Sequence, residues 1–158
     1  MSKQQTAVTL DATDLSLLRE LQQDASVSME HLASLVGVSK TAVWNRVKRL
    51  QSEGVIERQV AILNPTLVGL PETFFIAVKT NQHEDGWLKS FNKAIKKYPE
   101  IVEVHRLAGD VDYLMKVQVA STSDFDRLYK ALVTDIDLYS VTSSLSMEVL
   151  KYETTLAI

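Results

Sequence analysis

The sequence predicts an α+β protein of two units: an N-terminal winged helix-turn-helix and a C-terminal βαββαβ domain of ferredoxin-like arrangement. Three observations carry this. In residues 29–50, MEHLASLVGVSKTAVWNRVKRL, Ala33, Gly37 and Val43 stand four and then six residues apart. That spacing fits two helices crossing at a tight turn, with a small residue at the crossing and a glycine for positive φ. Beyond Pro71 the hydrophobic pattern changes to strand, helix, strand, strand, helix, strand. Positive charge gathers in one helix, where Lys40, Arg46, Lys48 and Arg49 occur with no acid from Ser39 to Ser52.

The first helix starts near Thr13 as cap and carries Leu15, Leu18 and Leu21 on one face. Ser28 caps the second, which buries Leu32, Ala33 and Val36. Ser39 caps the third, whose inward positions are Val43, Val47 and Leu50 and whose end is set by Gly54. Residues 55–63, VIERQVAIL, are β-rich and stop at Asn64-Pro65, so they read as a wing or a connecting strand. The expected boundaries are 1–63 for the helix-turn-helix unit with its wing, 64–72 for a hinge and 73–158 for the second unit.

In that second unit, strands are expected at 73–80, 101–107, 113–120 and 141–150. Helices are expected at 86–97, with Trp87, Phe91, Ala94 and Ile95 inward, and at 123–134, with Phe125, Leu128, Tyr129 and Leu132 inward. Two helices cover one face of such a sheet. The other face, with Phe75, Ala77, Leu107 and Leu114 assigned to it by alternation, is left open as an oligomer contact.

The bulk numbers set limits. A chain of 158 residues with 46% hydrophobic content builds one domain or two small ones. It has no cysteine, which removes disulfides, thiolate metal sites and thiol nucleophiles. The N-terminal segment has no apolar run of signal-peptide length and nothing reaches transmembrane length, so a cytoplasmic location is expected. The net charge of −3 has the wrong sign for a nucleic-acid binder, yet acids and bases balance up to residue 60 and the excess acid lies after it. A local basic patch is what phosphate contact requires.

Several segments in this order resemble one family. WNRVKRLQSEGVIERQVAILNPTLVGL resembles the recognition helix, wing and hinge of the Lrp/AsnC (feast/famine) transcriptional regulators. RLAGDVDYLMKVQVA resembles the turn of their ACT-like ligand-sensing domain, and VTSSLSMEVLKY their final strand. The resemblance runs from about Leu10 to Leu156. It implies a sequence-specific regulator of double-stranded DNA, a homodimer formed through the C-terminal sheet and further assembly into octamers. It also implies an amino-acid effector bound between subunits near the Gly-Asp turn, and no cofactor.

On this reading Lys40, Thr41 and Asn45 are candidate base readers, since Asn pairs bidentately with adenine and Lys reaches guanine acceptors. Ser39, Arg46, Lys48 and Arg49 complete the DNA-binding set; without DNA these cations form a solvated face, or Arg46 pairs with an acid such as Glu20. Trp44 is assigned to packing on the unit's own surface, and Trp87 to core or interface. Gly109-Asp110-Val111-Asp112-Tyr113 alone reads as a hairpin turn. The resemblance makes Leu107, Ala108, Gly109, Asp110, Asp112 and Tyr113, with Thr142 and Ser144 on the last strand, the candidate effector site. Backbone N–H groups of such a turn hold a carboxylate, a carboxylate meets an α-ammonium, and small hydroxyls orient a polar ligand.

His31, His83 and His105 are too scattered for a metal site. No Gly-rich phosphate loop and no nucleophile triad spacing is visible, so catalysis is not expected. The alternative reading is a nucleoid-type architectural protein that wraps DNA with little sequence preference. An N-terminal arm of about ten residues that touches DNA is a further expectation.

Overall fold

A computed structural model describes residues 8–81 and 85–158. By packing, the chain forms two units: residues 8–61 joined by Lys151–Ile158, and Ile62–Leu150. The helical unit thus takes in a tail that the expected boundaries leave with the sheet. His83 and the first seven residues of the expected arm lie outside the described residues.

The helical unit contains α1 (Ala12–Gln23), α2 (Met29–Val36) and α3 (Lys40–Ser52). Its core is Leu17, Leu32, Val43 and Val47, with Leu21, Ala33, Val36 and Ile56 packed around it. Ser28 and Ser39 cap α2 and α3 as expected, accepting from His31 N at 3.1 Å and Ala42 N at 3.2 Å. Gly37 takes φ 70° and ψ 31° at the turn, a left-handed conformation that glycine reaches without a Cβ penalty. The cap of α1 differs from expectation. Asp11 fills it rather than Thr13, in a reciprocal capping box with Asp14. Two carboxylates three residues apart satisfy two orphan N–H groups together, which one threonine inside the first turn cannot do.

The expected wing does not form a strand. Val55 N and Ile56 N both bond to Leu50 O and close the end of α3. From residue 57 the chain runs without regular structure, and Val60, Ile62 and Leu63 are exposed. A β-rich segment without a partner ladder leaves its backbone groups to water, so propensity alone does not make a strand.

The second unit contains β1 (Glu72–Lys79), α4 (Asp85–Ile95), β2 (Ile101–Arg106), β3 (Tyr113–Val119), α5 (Thr122–Asp135) and β4 (Ser140–Leu145). The sheet order is β2-β3-β1-β4 with every neighbouring pair antiparallel. β3 therefore fills the slot between β1 and β2, the split βαβ expected from the element order. Phe74, Ile76, Val78, Tyr113, Met115, Val117 and Val119 meet Trp87, Phe91, Ala94, Leu128 and Leu132 in one core. The Phe74 and Phe125 rings stack with centroids 3.8 Å apart. β4 ends at Leu145, opposite Phe74 of β1 and five residues short of the expected end. One further bond, Ser146 N to Thr73 O, closes the ladder.

Period-two alternation leaves the opposite face without a covering helix. Phe75, Ala77, Leu114, Lys116, His105, Thr142 and Ser144 share it by register. Phe75 lies between Lys116 and Ser144, and Ala77 between Leu114 and Thr142.

Candidate DNA-reading and effector sites

α3 turns Val43, Val47 and Leu50 inward. At 3.6 residues per turn the opposite stripe is Thr41, Trp44, Asn45 and Lys48, and all four are exposed. Lys40 is also exposed and pairs with Glu30 of α2. Ser39 acts through its cap and fixes where the helix begins.

Arg46 and Arg49 stand apart from that stripe. Arg46 Nη1 donates to Asp11 Oδ2 at 2.6 Å and Asp14 Oδ1 at 2.8 Å. Arg49 Nη2 donates to Asp14 Oδ2 at 2.5 Å and faces Glu53 at 3.5 Å. Arg46 thus pairs with acids of the α1 end, Asp11 and Asp14, rather than with Glu20, the example the sequence offers. Asp14 is only 1% exposed. Burial pushes its carboxyl up, but the hydrogen bonds from Arg49, Arg46 and the Asp11 backbone outweigh this and hold it at about 2. The carboxylate draws both guanidinium groups toward α1 and ties α3 to α1.

Trp44, expected to pack on its own unit's surface, is 52% exposed. The Lys48 ammonium lies over its ring, 5.8 Å from the centroid.

In the sheet unit the 107–112 turn is fixed at three points. Leu107 N donates to Asp112 O at 2.8 Å, Asp112 N to Val78 O at 3.0 Å, and Thr80 N to Asp112 Oδ2 at 2.8 Å. Asp112 is thereby occupied in holding the turn. Ala108, Gly109 and Asp110 are exposed, and Asp110 Oδ2 accepts from Lys79 Nζ at 2.6 Å. Lys79 is the residue that sequence reasoning missed. Its signal was its place at the end of β1, on the same parity as Phe75 and Ala77. By register Thr142 pairs with Ala77 and Ser140 with Lys79, so the end of the open face nearest the turn carries a hydroxyl, a cation and an anion. Ser144 lies two residues further along, beside Phe75. Tyr113 is not with them: it is buried on the helix-covered face against Phe91 and Trp87.

Among the described residues no group of three His, Asp or Glu is placed to hold a metal ion, and no helix is long and apolar enough to cross a membrane.

A helix-turn-helix with an acid-free outward face, joined to a ferredoxin-like sheet unit, defines the class of DNA-binding regulators that carry a sensing domain. Residues 10–51 match the AsnC-type helix-turn-helix domain, and residues 73–156 match the Lrp/AsnC ligand binding domain. A glutamate uptake regulatory protein of Zymomonas mobilis is 43% identical over 93% of this chain and 90% of its own length. The DNA-binding transcriptional activator DecR of Escherichia coli is 42% identical over 94% of this chain and 99% of its own. A transcriptional regulator of Neisseria meningitidis, solved as an L-Met complex, superposes with a TM-score of 0.88 at 26% identity, covering 94% of this chain and 97% of that one. This chain belongs to the Lrp/AsnC family of transcriptional regulators.

Proposed function

We propose that this regulator reads double-stranded DNA with α3 and changes its binding when an amino acid occupies the sheet unit. The observation that carries the reading is the exposed stripe of α3, which presents Thr41, Asn45 and Lys48 with no acid between Ser39 and Ser52. Lys40, Thr41 and Asn45 contact base edges in the major groove. Lys48 and the outer edges of Arg46 and Arg49 meet phosphates, and Ser39 sets the helix start against the backbone. In this division of labour residues 1–63 bind DNA, 64–72 act as hinge and 73–158 sense and assemble.

The effector site is Leu107, Ala108, Gly109, Asp110 and Asp112 with Thr142 and Ser144, supported from behind by Tyr113. Asp110 faces an α-ammonium and Lys79 an α-carboxylate, each exchanging its present partner for the ligand. The solved L-Met complex of a relative supports an amino acid in this role. The open sheet face joins two copies into a homodimer, and dimers build an octamer in the cytoplasm. An effector that binds one assembly better shifts the population toward it and resets the spacing of the reading helices. No catalytic step is part of this function.

The test is a binding titration on the DNA upstream of the protein's own gene, with scrambled DNA as control. It is run at two salt concentrations, with and without a pool of the twenty amino acids. Selective binding that the pool shifts is the expected result. Tight binding to both DNAs with a ratio near one supports the architectural reading instead.

A further inference from the structure

Trp44 stands at the centre of the outward stripe of α3, flanked by Thr41, Asn45 and Lys48. Its indole is 52% exposed, whereas the chain's other tryptophan, Trp87, is 8% exposed and donates from Nε1 to Asp137 O at 2.9 Å. A single exposed apolar side chain is ordinary on a protein surface. Three observations set this one apart. It stands on the helix face directed away from the unit's core, between residues of groove-reading chemistry. That face carries no acid, so phosphates on both sides of a groove are attracted to it. The Lys48 ammonium lies over the ring at 5.8 Å from its centroid, and a phosphate competes for that cation.

We infer that Trp44 is a specificity-determining residue that reads thymine through apolar contact between its indole and the 5-methyl group. The inference rests on α3 being the reading helix. In free protein Lys48 shields the ring. On DNA the ammonium transfers to a phosphate, and the uncovered indole meets the one apolar group that a base pair presents in the major groove. Asn45, one residue on, reads a neighbouring position through hydrogen bonds. The site thereby combines a methyl reader with a polar reader, and at a wrong base the indole would cover an unpaired polar edge.

The experiment starts from duplexes randomised over twenty base pairs, enriched separately on full-length wild type, Trp44→Ala and Asn45→Ala. Wild type should enrich a motif with thymine at a fixed position, and replacing that thymine by uracil should weaken binding about five- to tenfold. Trp44→Ala should bind the thymine and uracil duplexes equally while keeping its preference at the Asn45 position. Because Trp44 lies outside both cores, this variant should melt with wild type. An unchanged motif from Trp44→Ala, with a shifted one from Asn45→Ala, overturns the assignment of Trp44 alone. Unchanged motifs from both variants overturn α3 as the reading helix. As a second readout, acrylamide should quench Trp44 emission in free wild type and fail to do so on the selected duplex. Equal quenching in both states overturns the contact.

Discussion

Asp14 is the side chain on which the reading helix depends most. Its burial against two arginines puts a carboxylate where a neutral group would leave Arg46 only Asp11 and Arg49 only the more distant Glu53. Asp14→Ala should therefore lower unfolding free energy by about 3 kcal/mol, measurable by urea denaturation. The pH dependence has a definite sign. The folded carboxyl titrates at about 2, below its ordinary 3.8. Its stabilisation is thus complete above about pH 4 and is lost as pH falls toward 2, amounting to about 2 kcal/mol. An acid titration in which wild type and Asp14→Asn lose stability in parallel between pH 4 and 2 would contradict it. The same geometry separates two cations that composition treats alike. Lys48→Ala should flatten the slope of log affinity against log salt by about 0.9 with the melting temperature unchanged. Arg49→Ala should flatten it less and also lower the melting temperature, since it gives up its Asp14 pair.

At the scale of elements, local rules and local outcomes agree where the chemistry is local. Ser28 and Ser39 cap, Gly37 turns, and Val43, Val47 and Leu50 face inward, because each depends on residues within a turn or two. β1 and β3 alternate as their residues alternate. What the sequence hid was set by partners far along the chain. The pairing of Asp14 with Arg46 and Arg49 spans 32 and 35 residues, and no periodicity reports it. Residues 57–63 have strand composition but no ladder to join, and β4 ends opposite Phe74, which its own composition does not report. At the effector turn, the acid that holds the loop and the acid that stays outward cannot be told apart by composition. Asp112 binds backbone while Asp110 meets Lys79. The direction of Trp44 was legible from helix phase, but a large apolar residue reads first as core. The turn before α3 gives a prediction at this scale. A Cβ at position 37 would meet nothing within 4 Å, so Gly37→Ala pays only for its positive φ. Thermal unfolding of that variant should show a loss of about 1 kcal/mol, and Gly37→Asn a smaller one.

For the whole molecule, the proposed assembly turns on the open face of the sheet. Phe75 points away from the core and is half-exposed beside Lys116 and Ser144. A charge there should leave the fold intact and prevent face-to-face pairing. Phe75→Glu should therefore run as a monomer in light scattering while its melting curve keeps the wild-type shape. A dimer of unchanged mass would place the assembly surface elsewhere.

The tail returns to the helical unit after the sheet unit has been made. Arg19 Nε donates to Ile158 O at 2.7 Å, and Gln22 exchanges hydrogen bonds with the Leu156 backbone in both directions. The partners in the first of these are 139 residues apart. On a ribosome the three helices emerge first, and their core is closed by contacts of short range. The pieces of the tail that lie against α1 leave the exit tunnel only after the sheet unit has been made. Closing so long a loop has an entropic cost that grows only slowly with its length, so the delay is one of synthesis order more than of chain statistics. A nascent chain can thus hold a packed helix-turn-helix whose α1 flank stays bare until residues 151–158 have emerged, and the chain differs before and after that point at this flank.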